Sequence, residues 1–275
     1  MRYCGYHTHT TFSDGKHSME EMVQAAIRLG MPAIGFSDHS FTPCDPSYCM
    51  HTEQYPAYLA EMDRLREKYG DQITVMKGLE LDYDSDMAIT EALDYYLGSV
   101  HYLTFDGRVY AIDHPGGPRG PHAADIQRAC IQQEFGGDAL AFCRCYYDTL
   151  VEHVHRCKPT IVGHFDLITK FGLFDEEDPA YQAIALEALE RVVEVTPVVE
   201  VNTGAISRGW RERPYPAPFL LRRLRELDGQ VILGADAHAA DTIDCCFPQA
   251  VELIKAVGFD YLLTLWPDGF HKEML

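Results

Sequence analysis

Val231-Ile232-Leu233-Gly234-Ala235-Asp236-Ala237-His238 sets an aliphatic run directly before two potential metal ligands, and four other stretches are built the same way. His7-Thr8-His9, Ser37-Asp38-His39, Gly78-Leu79-Glu80 and Gly163-His164-Phe165-Asp166 each close an apolar run that reads as a buried strand. A parallel α/β barrel brings the C-terminal ends of many strands to one mouth, so ligands far apart in sequence meet there. The pattern predicts an α/β barrel with a polynuclear metal site at that mouth.

Strand and helix signals alternate along the rest of the chain. Ser18-Met19-Glu20-Glu21 offers a capping serine and first-turn acids, and Met22, Val23, Ala26, Ile27 and Leu29 follow at helical spacing before Gly30 closes the helix. Further helices are predicted over 55–69, 138–157, 179–193, 216–227 and 248–257. Strands are predicted over 3–7, 33–36, 73–79, 96–100, 160–162, 198–201 and 231–233. An eighth apolar run, 261–266, reads as a terminal addition outside the barrel. Residues 102–135 break the rhythm. Phe105-Asp106-Gly107-Arg108 signals a hairpin, and His114-Pro115-Gly116-Gly117-Pro118-Arg119-Gly120-Pro121 suits neither helix nor strand interior. That region reads as an insertion over the mouth of a single domain spanning 1–275.

Composition narrows the function classes. The chain has 275 residues, 47% of them hydrophobic, enough for a sizeable core. Its 23 basic against 42 acidic residues give a formal charge of −19, which repels polyanions and argues against a long nucleic acid as partner. The N-terminus lacks the charged and apolar regions of a signal peptide, and no stretch approaches the roughly 20 apolar residues of a membrane span. Nine cysteines without a C-x-x-C pair read as reduced thiols. A cytoplasmic protein with no membrane contact is expected; the oligomeric state is left open.

Side chains two apart in a strand share a face, so His7 and His9 at a strand end can reach one ion. Asp38-His39 ends the second strand, Glu80 the third, His101 the fourth, His164 the fifth, Asn202 the sixth, and Asp236 with His238 the seventh. Ionisable groups at the end of every apolar run are poorly explained as packing, because a buried carboxylate or imidazole needs a partner. Asp14, in the turn after the first strand, adds a carboxylate. His7, His9, Asp14, His39, Glu80, His101, His164, Asp236 and His238 are thus nine candidate ligands, too many for one ion and suited to about three divalent ions if a carboxylate bridges. Imidazoles mixed with carboxylates, and no cysteine, suit zinc, manganese or iron(II).

HTHTTFSDG, FSDHS, GLE, SVH, GHFD, VEVNTG and GADAH resemble, in order, the successive motifs of the polymerase and histidinol phosphatase (PHP) superfamily. GHFDLITK and FSDHSFT resemble its histidinol-phosphatase branch. The resemblance implies a distorted (β/α)7 barrel with a trinuclear centre. It implies a first ion at His7, His9, Glu80 and Asp236, a second at Glu80, His101 and His164, and a third at Asp14, His39 and His238, with Glu80 bridging. His17 competes with Asp14 for the third site; Asp14 is preferred because it directly follows the strand, whereas His17 adjoins the helix cap Ser18.

The activity so implied is hydrolysis of a phosphate monoester, L-histidinol phosphate to L-histidinol, by a hydroxide held between metals. Glu80, Asp236 and His238 would carry the chemistry. Arg208, six residues past Asn202, is the leading phosphate clamp because guanidinium meets phosphate in a fork. Lys170, Arg119, Arg211 and Arg213 stand behind it. An acidic mouth favours a cationic amino-alcohol phosphate, and the aromatic loop 41–55 offers a stacking surface for its ring. Three other readings stand beside this one. They are a phosphoesterase acting on a nucleotide or an oligonucleotide end, a C–N hydrolase of amidohydrolase type, and a metal-dependent regulatory or storage protein. His101 stands where the amidohydrolase type would place a lysine.

Overall fold

Helices begin where the sequence supplies caps. In the computed structural model, which describes residues 2–87, 89–114 and 123–275, Ser18 and Glu21 form a capping box on α1 (Met19–Arg28). The chain continues through β1 (Ala33–Phe36), α2 (Tyr55–Tyr69), β2 (Thr74–Lys77), β3 (Glu80–Leu81) and β4 (Leu97–Gly98). A hairpin of β5 (Tyr102–Phe105) and β6 (Arg108–Ala111) leads to α3 (Ala123–Glu134) and α4 (Ala139–Cys157), the latter capped by Asp138. β7 (Ile161–Val162) precedes α5 (Pro179–Val193), where Asp178 accepts from Ala180 N and Pro179 sits at the first position. β8 (Val198–Asn202), the short α6 (Gly204–Ser207), α7 (Pro218–Glu226), β9 (Gln230–Gly234), α8 (Phe247–Ala256), β10 (Tyr261–Trp266) and β11 (Gly269–Met274) complete a mixed α/β fold.

β3, β4, β7, β8 and β9 lie side by side in parallel. β1 pairs in parallel with β2 from Ala33↔Thr74 to Phe36↔Lys77. Several features depart from the sequence reading. Residues 3–7 make no regular strand: this segment pairs with its neighbours only through isolated bridges, Gly5 to Ile34 and, just beyond it, Thr8 to Ala237. The run 73–79 breaks at Gly78, where a Cβ would stand 2.2 Å from the Tyr95 ring. Tyr95 is buried there and donates to the carbonyls of Tyr6 and Phe36, so glycine is what lets the tyrosine cross-link its neighbours. The chain resumes as β3, and His39 bridges Glu80.

The terminal run 261–266 joins the sheet beside β9 through Leu263↔Ile232 and turns back as β11. The expected hairpin at Asp106-Gly107 is present, with both residues at positive φ. The region 102–135 also contains α3, a helix not among those expected from the sequence. α7 starts at Pro218 rather than at 216, since Tyr215 pairs back onto Asn202. The apolar residues form two buried clusters. A large one includes the inner faces of the helices. A small one comprises Cys4, Tyr6, Ala33, Met76, Tyr95, Leu97, Ile161, Val198, Ile232, Leu263 and Leu265, mostly from strands and strand-flanking segments. No helix among the described residues is long and apolar enough to cross a membrane.

Candidate metal centre

The nine candidate ligands that the sequence marked lie together, whereas Asn202 and Asp38 at the same strand ends do not join them. Glu80, 1% exposed, is the hub: its Oε2 lies 3.2 Å from His7 Nε2, 3.6 Å from His9 Nε2 and 3.0 Å from His39 Nδ1. Its Oε1 lies 3.0 Å from His164 Nε2 and 3.6 Å from His101 Nε2. Asp236 Oδ1 stands 3.2 Å from His9 Nε2 and 3.7 Å from His7 Nε2. Asp14 reaches His238 Nε2 at 3.3 Å and His39 Nε2 at 3.8 Å. His17 lies outside these groupings; its Nδ1 accepts from Ala240 N.

Four overlapping groups have ligand atoms within 4.8 Å of one another: His9, Asp14, His39 and His238; His7, His9 and Asp236; His7, Glu80 and His164; and His39, Glu80 and His101. His7 Nε2, both nitrogens of His9, Glu80 Oε2 and His164 Nδ1 are buried without a hydrogen-bond partner. Unpartnered polar atoms in a dry interior are strongly disfavoured, and so many converging on one point fit divalent cations. Burial alone would raise the Glu80 carboxyl, yet the neighbouring His7, His101 and His39 hold it well below the usual carboxylate range. Asp236, likewise buried, is held low by Arg208 and His7. Burial together with His238 and His39 pushes His9 down to about 3, so it stays neutral and offers a lone pair.

A ring of supporting contacts was less visible in the sequence. Asp82 Oδ2 is 3.0 Å from His101 Nδ1, Glu200 Oε1 is 2.7 Å from His7 Nδ1, and Ser99 Oγ donates to Glu80 Oε1 at 2.6 Å. Asp38 is turned away from the cluster and accepts from Thr10 N, Thr10 Oγ1, Ser13 N and Ser13 Oγ, which pins the loop carrying Asp14. Asn202 spends its side chain on Glu200 and Gly204 N. The missed signal was a carboxylate inside an apolar strand, as in Val199-Glu200-Val201.

Beside the cluster opens a cavity of about 430 Å³ whose walls include Asp14, His39, His101, Asp236 and His238 together with Tyr48, Tyr102, Asp113, Lys170, Arg208 and Trp210. Arg208 gives Nη2 to Asp236 Oδ2 at 2.6 Å and Nη1 to Asp236 O at 2.9 Å. Lys170 Nζ binds the carbonyl and carboxylate of Asp113, each at 3.0 Å. Arg211 does not line the cavity: it is committed to Thr169 and Glu176 and stacks on Tyr215. Arg213 pairs loosely with Glu176 and is half exposed. Arg119 lies outside the described residues.

A buried carboxylate hub ringed by imidazoles, on strand ends of an α/β fold, is a candidate site for divalent metal ions. The PHP domain model matches residues 5–204, and the chain belongs to the PHP domain family. It is 32% identical over 269 residues to a probable histidinol-phosphatase of Deinococcus radiodurans, covering 93% of this chain and 94% of that one. The histidinol-phosphatase of Bacillus subtilis is 24% identical over 272 residues, covering 90% and 97%. The fold is similar to the crystal structure of histidinol phosphate phosphatase from Lactococcus lactis, complexed with zinc, L-histidinol and phosphate. The TM-score is 0.73 at 22% identity, over 98% of this chain and 99% of that one.

Proposed function

We propose that the chain is a metal-dependent phosphomonoesterase that hydrolyses L-histidinol phosphate to L-histidinol and phosphate. The observation that carries this reading is that the buried ligand cluster and two cationic side chains, Arg208 and Lys170, open onto the same cavity. Relatives matching nearly the whole chain bear the name of that activity.

The architecture proposed for it is a distorted (β/α)7 barrel in one domain, 1–275. Parallel contacts support it, running from residues 5–8 through β1, β2 with β3, β4, β7, β8 and β9 and returning to Thr8 through Ala237. An insertion over 102–135 is proposed at the mouth; of its described residues, Asp113, just beyond the hairpin, forms part of the cavity wall. Three divalent ions, zinc, manganese or iron, fit nine ligands around one bridging carboxylate. His7, His9, Glu80 and Asp236 would hold the first, Glu80, His101 and His164 the second, and Asp14, His39 and His238 the third. Such ions would acidify water and neutralise phosphoryl charge.

The chain's own residues do the rest. Arg208 anchors Asp236 and turns the remainder of its fork toward the cavity, where a phosphate would meet it. Lys170, fixed by Asp113, adds a point charge. Tyr48, Tyr102 and Trp210 give the organic half of the substrate an aromatic wall, and the net charge of −19 suits its ammonium group. The same charge disfavours a long nucleic acid. Cytoplasmic residence is proposed on the nine cysteines, all unpaired.

A phosphate-release panel tests the proposal: L-histidinol phosphate, a mononucleotide, a short single-stranded DNA and an aryl phosphate. L-Histidinol phosphate should have the highest kcat/KM. Preference for the mononucleotide or the DNA end would replace it with the nucleotide-directed reading, and no phosphate release from any would remove the enzymatic one.

A further inference from the structure

Glu200 sits in the middle of an apolar strand, 1% exposed, and does not line the cavity. A charge in that setting is tolerated only when its oxygens are satisfied. Oε1 lies 2.7 Å from His7 Nδ1, and Oε2 accepts from His164 N at 3.0 Å and from Asn202 Nδ2 at 2.9 Å. The neighbouring strand leaves room for it. Glu200 pairs with Ile232, so Gly234 falls two residues on, on the same face, and a Cβ there would stand 1.6 Å from Glu200 Oε1.

We propose that Glu200 is a positioning residue that fixes His7 as an Nε2 metal ligand and ties it to the segment carrying His164, with Gly234 providing the space. An ionised carboxylate only accepts, so the proton of a neutral His7 ring belongs on Nδ1. That leaves the lone pair on Nε2, the nitrogen 3.2 Å from Glu80 Oε2 that has no hydrogen-bond partner. The second oxygen of Glu200 holds the backbone of His164, so one side chain orients ligands of two ions. The inference rests on the metal-centre reading but not on the substrate.

Two measurements test it. In the zinc-loaded chain, long-range ¹⁵N–¹H NMR of the histidines should show His7 protonated at Nδ1 and bare at Nε2; a proton on Nε2 would overturn the proposal. Zinc competition with a chromogenic chelator should show one ion bound roughly 10- to 100-fold more weakly in Glu200→Gln, because the amide sets a donor against His7 or against His164 N and Asn202 Nδ2. Gly234→Ala should do the same, and unchanged zinc affinity in both variants would also overturn it. The NMR measurement needs only the wild-type chain, so it decides even where a variant does not fold. A chain that binds zinc through His7 Nε2 but releases no phosphate from L-histidinol phosphate would leave this inference standing and remove the substrate assignment.

Discussion

Glu80 meets five imidazoles through two oxygens, which makes its replacement different in kind from loss of any one histidine. Glu80→Gln should shed more metal per chain and lose more kcat/KM than His101→Ala, read by metal mass spectrometry and steady-state kinetics. Near wild-type activity would remove Glu80 as the bridge. Arg208 has a double task, holding Asp236 and facing the cavity. Arg208→Ala should lower kcat/KM for L-histidinol phosphate roughly 30- to 1000-fold, and Arg208→Lys should recover only part, since a point charge lacks the fork. A variant that keeps its metals and loses less than about threefold would move the clamp to Lys170. Most of the candidate ligands were legible because they end apolar runs, and Asp14 only because its turn directly follows one. Asp82 and Glu200 were not, because their partners His101 and His7 are distant in sequence; a carboxylate within an apolar run was the one local hint for Glu200. Arg211 illustrates the reverse: its sequence position suits a clamp, but Glu176 and Thr169 claim it.

At the scale of elements, caps and periodicity marked most helices, while strand lengths escaped the reading. Glycines and cross-strand contacts decide where a ladder stops, as Tyr95 does at Gly78. α3 was missed because the glycine- and proline-rich run before it dominates the local pattern. α4 is tied to the end of β3 by His153, whose Nε2 donates to Leu81 O at 3.0 Å. Burial pushes this imidazole down from 6.5 to about 4. The folded chain therefore refuses a proton that the unfolded chain accepts, so stability is complete above about pH 6.5 and falls as the pH drops toward 4. The span is worth up to about 3 kcal/mol. His153→Gln keeps a donor without the titration. Urea unfolding at a series of pH values should show a shallower acid loss in the variant; identical profiles would mean that His153 does not titrate between the states.

At the scale of the whole molecule, the fold converts dispersed sequence into one site. Thr8 bridges Ala237, which brings the first and last segments bearing candidate ligands side by side, and His7, Glu80, His164 and Asp236 lie together beside that contact. The alternation of strand and helix along the chain was legible, whereas the irregular first segment and the cavity wall depend on pairings between residues distant in sequence, which no local pattern marks. The net charge of −19 repels polyanions at large, while Arg208 and Lys170 place two positive charges on the cavity wall where the proposed function puts the phosphate. The proposed activity is phosphate ester hydrolysis that depends on several ions held by this cluster. The direct measurement is phosphate release from L-histidinol phosphate by chelator-stripped protein as zinc or manganese is restored, with bound ions counted at each step. Activity should be absent in the stripped chain and emerge only as more than one ion per chain is bound; full activity with one ion or none would contradict the account.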